Sequence, residues 1–296
     1  MSRRKSIHIV VNPAAGSRHG GLFEYVTALL KKDGAAVTVE ETNGPGHATV
    51  LAYRAASSGQ VDVVVAAGGD GTINEVARGL LGFGTPMGII PLGTANVLAI
   101  EIGLKIKARA VADMLLFGEA QLIGTGDIDG DLFLLMVGAG FDGRIVHGID
   151  PRLKRRFGKG AFVWAGLCEW LRGPGAPLDL VVDGRREKAA WAVVTNARHY
   201  AGNFVLAPEA DITWPGLDVF LFRKPGRLAF AGYLLALGLG RAGALKSVTV
   251  RRARHIDFLG PEGVPVEVDG DERGYLPRTV TQGTRFLRLV MPAAGR

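Results

Sequence analysis

At 296 residues, 48% hydrophobic and 21% charged, the chain is long and apolar enough for two packed domains, which excludes a disordered polypeptide. Its single cysteine, Cys168, excludes a disulfide framework or a cysteine-cluster metal site and points to a reducing compartment. The 35 basic residues against 28 acidic ones leave a formal charge of +7, which suits an anionic nucleotide, an anionic lipid surface or a nucleic acid.

The basic opening Met1-Ser2-Arg3-Arg4-Lys5 runs straight into the strand-like Ile7-His8-Ile9-Val10-Val11, without a secretory signal's apolar core or cleavage site. That first strand, 7–11, ends at Asn12-Pro13. Leu22, Phe23, Val26, Leu29 and Leu30 then recur at helical spacing, with Lys31 and Lys32 before Gly34. A strand at 37–42, a helix near 47–56, an apolar strand at 61–67, a helix near 74–81 and a strand at 87–90 follow. This alternation predicts βαβ units around a parallel sheet.

Beyond residue 122 the pattern turns to strands at 133–137, 178–182, 190–195, 219–222, 248–250 and 286–290, with helices at about 153–171 and 228–239. Asp183-Gly184 and Asp269-Gly270 are hairpin-turn signals. The expected organisation is an α/β domain over 1–122, a β-rich domain over 123–285 and a tail over 286–296. The most apolar window, 228–240, is broken by glycine and shorter than the ~20 residues a span requires. A cytoplasmic protein, at most peripheral at the inner membrane face, is expected.

Ligands of open α/β sheets sit beyond the carboxyl ends of the strands. Gly68-Gly69-Asp70-Gly71-Thr72-Ile73-Asn74-Glu75 follows an apolar strand, and its glycines let backbone N–H groups approach phosphate at a helix N-terminus. Asp70 would repel phosphate unless a cation lay between them, so it implies Mg²⁺ held with a nucleotide. The plainer reading is a tight connection with Thr72 as helix cap. No Walker sequence is present. Asn12-Pro13-Ala14-Ala15-Gly16 and Pro91-Leu92-Gly93-Thr94-Ala95-Asn96 leave two other strands; each alone is an ordinary turn.

Gly138-Ala139-Gly140-Phe141-Asp142-Gly143 matches the letters of a dinucleotide fingerprint but lacks its later acidic residue, and reads as a glycine turn bordering the cleft between domains. Arg152, Lys154, Arg155, Arg156 and Lys159 lead into Phe162, Val163, Trp164, Leu167, Trp170 and Leu171. That pattern suits anionic headgroups with aromatic anchoring, or a core helix with a solvated start. No reader motif points to nucleic acid. Val266-Glu267-Val268-Asp269-Gly270-Asp271-Glu272 places carboxylates at a hairpin, where acidic turns are common. The six histidines lack metal spacing, and Cys168 in an apolar helix reads as inert.

Taken in order, Val11-Asn12-Pro13-Ala14-Ala15-Gly16, the glycine motif at 68–75, Pro91-Leu92-Gly93-Thr94-Ala95-Asn96, the 138–142 segment, Asn196 with Tyr200, and Asp269-Gly270-Asp271 resemble the diacylglycerol kinase catalytic-domain family. The likeness is nearest to its soluble bacterial lipid kinases, relatives of sphingosine and ceramide kinases, and spans nearly the whole chain. Gly-Gly-Asp-Gly-Thr alone is shared with NAD kinases and, more loosely, phosphofructokinases. The resemblance implies an α/β nucleotide domain of NAD kinase/diacylglycerol kinase type and a C-terminal β-sandwich. It further implies an active site in the inter-domain cleft and a tail packed back on the first domain.

By the same resemblance ATP and Mg²⁺ are the cofactors. Asn12, Pro13, Ala14, Ala15, Gly16, Thr42, Gly68, Gly69, Asp70, Gly71, Thr72, Ile73, Asn74 and Thr94 fall where the family holds ATP. Asp271 falls at the acidic general base, with Asp70 as the second catalytic residue, and Asp269 would orient metal or hairpin. Asp218, with the carbonyls of Pro215 and Phe220, matches a structural Mg²⁺ site. Two stretches differ from the family's pattern: Thr213-Trp214-Pro215-Gly216 replaces an Asp-Gly pair, and Ala201-Gly202-Asn203 replaces a glycine run.

The expected function is transfer of the γ-phosphate of ATP to a hydroxyl of diacylglycerol or a related amphiphile. A lipid substrate and transient membrane contact are expected, and a homodimer is left open. Two alternatives stand beside it: a non-catalytic nucleotide or lipid sensor, and a kinase of a soluble polar substrate such as NAD. Asp70 and Asp271 together oppose the first, and the Trp164/Trp170 helix favours lipid over the second.

Overall fold

The computed structural model describes residues 3–15, 21–149, 159–173 and 175–293, with side chains in the helix that begins at Lys159 described from Trp164 onward. The basic residues Arg152, Lys154, Arg155 and Arg156 lie outside the described residues, as does Gly16. The chain forms two compact units, Met1–Ile123 with Arg285–Arg296, and Gly124–Thr284.

The first unit carries β1 (Ser6–Val11), α1 (Leu22–Lys32), β2 (Ala36–Glu41), α2 (His47–Ser57), β3 (Val63–Gly68), α3 (Asp70–Leu80), β4 (Met87–Pro91), α4 (Val97–Glu101), α5 (Ala108–Phe117) and β5 (Ala120–Ile123). Its sheet runs β2, β1, β3, β4, then the C-terminal strand Leu287–Val290, then β5. β1 to β4 are parallel; Leu287–Val290 is parallel to β4 and antiparallel to β5. Every residue of β3, Val-Val-Val-Ala-Ala-Gly, is buried, as a central strand covered on both faces requires. β2 lies at the sheet's edge and is largely exposed. α2 crosses closely over α3, because a Cβ on Gly79 would stand 2.4 Å from the Thr49 carbonyl oxygen.

α3 begins at Asp70, so most of the glycine motif is the first turn of a helix and not a loop ahead of one. Its N-cap is Gly69 in extended conformation, which corrects the Thr72 cap. Glycine, threonine and asparagine are poor helix formers, so the periodic pattern becomes visible only from Asn74 onward.

The second unit stacks three layers. One antiparallel sheet orders Arg185–Ala189, Leu178–Val182, His255–Gly260, Arg278–Gln282, Gly126–Ile128 and Asp131–Phe133. The other orders Val248–Ala253, Leu217–Phe222, Trp191–Thr195, Met136–Ala139, Pro265–Val268 and Asp271–Tyr275. Between them lies an aliphatic core including Leu180, Val194, Val219, Ile256 and Val280. The outer face of the second sheet carries Trp191, Phe220 and Phe222, packed under Phe230, Tyr233 and Leu237 of the helix Arg227–Gly238. Trp191–Thr195 is buried at every position and shows no alternation because sheet and helix cover both its faces. Trp191 stacks on Phe222 with ring centroids 3.9 Å apart.

Both predicted hairpin turns form. Asp183 and Gly184 have φ of 44° and 79°, and Asp269 and Gly270 have 51° and 87°, the paired positive values of a type I′ turn. The predicted strand 133–137 is instead two, Asp131–Phe133 and Met136–Ala139, interrupted at Leu134-Leu135. Among the described residues, no helix is long and apolar enough to cross a membrane.

Candidate active site

In the first unit, four adjacent parallel strands end on one edge, and their loops meet there. Asn12 follows β1: its N–H donates to the Ala67 carbonyl (2.9 Å), its Oδ1 accepts from Ala14 N (3.0 Å), and its Nδ2 donates to Thr72 Oγ1 (3.3 Å). Pro13–Ala15 forms a single 3-10 turn. Thr42 follows β2 and donates its N–H to the Val11 carbonyl (2.9 Å). Gly68 must be glycine, since a Cβ there would lie 2.5 Å from Thr72 Cβ. The β3–α3 and β4–α4 connections touch through two glycines: a Cβ on Gly93 would stand 2.6 Å from Gly69 Cα. Thr94 is exposed just beyond this contact.

Asp70 Oδ1 accepts the Val97 N–H (2.9 Å), so the carboxylate joins the start of α3 to the start of α4. Glu75, at the end of the motif, has a different task. Its carboxylate accepts Gly46 N (2.8 Å) and Ala48 N (3.1 Å) and thereby caps α2. The structure therefore brings Asn12, Pro13, Ala14, Ala15, Thr42, Gly68, Gly69, Asp70, Gly71, Thr72, Ile73, Asn74 and Thr94 to one sheet edge. The first-turn N–H groups of α3 have no preceding turn to bond, which makes this edge receptive to phosphate. Asn96 Oδ1, beside Gly93, is buried without a hydrogen-bond donor among the described residues. Such an oxygen, on the residue before the Val97 N–H that Asp70 accepts, fits an Mg²⁺ ion carried with a nucleotide, which takes few protein ligands.

In the second unit, the hairpin sequence from Glu267 to Glu272 separates its carboxylates by function. Asp269 accepts three backbone N–H groups, from Leu134 (2.8 Å), Leu135 (2.8 Å) and Met136 (2.9 Å). It holds the break between the two short strands and is a structural clamp. Removing it would leave three donors without their acceptor. Asp269→Ala is expected to lower unfolding free energy by about 2–4 kcal/mol, measured by urea denaturation. Asp271 and Glu272, one step further, are exposed.

Glu267 and Asp142 are both buried, a pair that sequence reasoning missed. Tyr200 OH donates to Asp142 Oδ1, and Gly270 N donates to Glu267 Oε2 (2.8 Å). Asp142 Oδ2 is buried without a donor among the described residues. A Cβ on Gly138 would stand 2.6 Å from Glu267 Oε1 and 2.7 Å from Asp142 Oδ2. The fingerprint-like glycines therefore make room for carboxyl groups, and the segment leads from a strand into the helix Phe141–His147. The available signal was a charged residue between two valines in an otherwise apolar strand.

Burial pushes the Asp142 carboxyl up to about 6 from its usual 3.8, although the Tyr200 hydroxyl and Trp191 indole favour its anion. Burial likewise raises Glu267 well above its usual 4.5; the Asp142 charge adds to this, and the Gly270 N–H opposes it. A raised carboxyl binds its proton more tightly folded than unfolded, so it costs stability as pH rises from the unfolded to the folded value. Asp142→Asn cannot ionise. Its stability relative to wild type is expected to improve by about 2 kcal/mol between pH 4 and pH 7, read from urea unfolding at both.

Asp218 and Phe220 lie on the strand Leu217–Phe222, and Pro215 precedes it. The Asp218 carboxylate lies 3.4 Å from Arg252 Nε on the neighbouring strand. Asn196 is structural: its Nδ2 donates to the Gly124 (2.9 Å) and Leu134 (3.0 Å) carbonyls.

The diacylglycerol kinase catalytic domain matches residues 6–128, and the YegS C-terminal NAD kinase beta sandwich-like domain matches residues 135–292. A diacylglycerol kinase of Mycobacterium tuberculosis is 30% identical over 97% of this chain and 95% of its own. The chain belongs to the diacylglycerol kinase catalytic-domain family. This kinase is also 32% identical to a probable YegS-like lipid kinase of Pseudomonas aeruginosa, over 99% of this chain and 96% of that one. The crystal structure of a diacylglycerol kinase from Bacillus anthracis covers 99% of both chains with a TM-score of 0.74; at 21% identity this is a likeness of fold. The first family domain spans strands β1 to β5 of the α/β sheet, and the second spans most of the sandwich together with the C-terminal strand Leu287–Val290.

Proposed function

We propose that this kinase transfers the γ-phosphate of ATP to a hydroxyl of diacylglycerol or a related amphiphile, with Asp271 as general base. The observation that carries the reading is the division of the hairpin carboxylates. Glu267 is buried, Asp269 is bound by three backbone N–H groups, and Asp271 is exposed and adjacent to both. The β1–β4 loops, with the N-terminus of α3, would hold the triphosphate through backbone N–H groups.

Magnesium bound with the nucleotide supplies charge neutralisation, and Asp70 and Asn96 are the side chains that would hold it. Asp271 would accept the hydroxyl proton as that oxygen forms its bond to the γ-phosphorus and the bond to ADP breaks. Positioning dominates such a transfer, so the base needs reach more than a perturbed basicity. Asp218, with the carbonyls of Pro215 and Phe220, would hold a structural Mg²⁺ in the second unit.

The deciding experiment offers labelled Mg²⁺-ATP with diacylglycerol, a mixed lipid extract and NAD in parallel. Label in a lipid product supports the proposal. Label only in a dinucleotide would replace it with a soluble acceptor, and no label from a folded, ATP-binding chain would leave a sensor.

A further inference from the structure

The helix Arg227–Gly238 buries Phe230, Tyr233, Ala236 and Leu237 against the sandwich. Its opposite face is equally apolar. Leu228, Ala231, Gly232, Leu234, Leu235, Gly238 and Leu239 are all exposed, with Leu228 89%, Leu235 67% and Leu239 66% accessible. No polar residue other than Tyr233 lies between Arg227 and Arg241. A surface helix of a soluble domain ordinarily turns a charged face outward, and this one does not.

A second helix continues the surface. Lys159–Arg172 exposes Trp164, Leu167 and Leu171, spaced one helical turn apart. The last turn of one helix meets the start of the other: the Trp170 indole N–H donates to the Arg227 carbonyl (2.9 Å), and the Arg227 guanidinium donates to the Leu171 carbonyl (2.6 Å).

Charge identifies the partner. Between Asp218 and Asp257 the sequence holds eight lysines and arginines and no acidic residue; three of them, Arg223, Arg251 and Arg252, pair with Glu187 and Asp218. Lys224, Arg227, Arg241 and Lys246, at or just beyond the helix ends, are exposed. A two-fold contact with a second copy would bring these like charges together, with no carboxylate in the segment to meet them. An anionic bilayer instead accepts leucines and tryptophan at the acyl boundary while lysine and arginine reach phosphate headgroups. We propose that the outward face of Arg227–Gly238, continued by Trp164, Leu167 and Leu171, is the surface on which this kinase lies against an anionic membrane. The proposal deepens the lipid-kinase reading, yet its test needs no turnover.

The full chain is mixed with vesicles of equal parts phosphatidylglycerol and phosphatidylcholine, or of phosphatidylcholine alone, and the bound fraction is read by flotation. Wild type is expected on the anionic vesicles and to leave them as salt rises. The triple variant Leu228→Gln, Leu235→Gln, Leu239→Gln is expected to bind at least about tenfold more weakly, with an unchanged circular dichroism spectrum. Lys224→Glu with Arg241→Glu preserves the apolar face and is expected to weaken anionic binding alone. Should the triple variant misfold, the charge variant decides. Wild type that ignores both vesicles, or triple and charge variants that bind like wild type, overturns the proposal. So does a wild-type dimer that the triple variant converts to monomer without any vesicle binding. A dispersed short-chain diacylglycerol separates the two readings: failure to phosphorylate it, with vesicle binding intact, overturns the function and leaves the surface standing.

Discussion

Asp271→Asn is expected to retain ATP binding and to lose phosphoryl transfer by about 10²–10⁴-fold, the range for removing a positioned base. Asparagine matches aspartate in shape and leaves the carboxylates of Asp269 and Glu267 in place. Asp269 keeps its three backbone donors, and Gly270 keeps its bond to Glu267. The hairpin should therefore persist, and the loss should fall on kcat with KM for ATP little changed. Calorimetric titration with ATP and single-turnover transfer of labelled phosphate measure the two separately. Full activity in Asp271→Asn would move the role to Glu272, the adjacent exposed carboxylate. Asp269→Ala serves as the contrast, because it should lose stability before it loses chemistry.

Gly93→Ala is expected to weaken ATP binding at least about tenfold and to cost about 1–3 kcal/mol of stability, as overpacking does. The new methyl group would stand 2.6 Å from Gly69 Cα and 2.9 Å from Asn96 Oδ1, closer than real contacts allow. Neither neighbour is the yielding end of a long side chain, so the loops after β3 and β4 must part. That separation moves the N-terminus of α3, where the triphosphate would sit. Gly84→Ala is the control, since nothing lies within 4 Å of a Cβ there. Equal ATP affinity in wild type and Gly93→Ala, by calorimetry, would place the nucleotide elsewhere.

Local features were legible where one stretch of chain carries its own cause. The valine run of β3 announces a strand buried on both faces, and Asp183-Gly184 announces a type I′ turn because both residues tolerate positive φ. The start of α3 was not legible, because its first turn is built from weak helix formers kept for backbone approach. The split of 133–137 was hidden for another reason. The Asp269 carboxylate that causes it lies more than 130 residues away in sequence.

The same distance hid the charge pairings. Asp142, Tyr200 and Glu267 meet only through the sandwich, and Asp218 faces Arg252 only because two strands lie in register. Hydropathy shows that helix 227–238 is apolar on every side, but exposure alone shows that half of it is uncovered. The sequence by itself determined element types, turn chemistry and the glycine-marked strand ends, all set by backbone sterics and local hydrophobic period. Tertiary structure alone decided which strand the tail pairs with and which carboxylates are buried, clamped or exposed. Those outcomes depend on desolvation and on partners brought together from distant parts of the chain, and no local pattern encodes them.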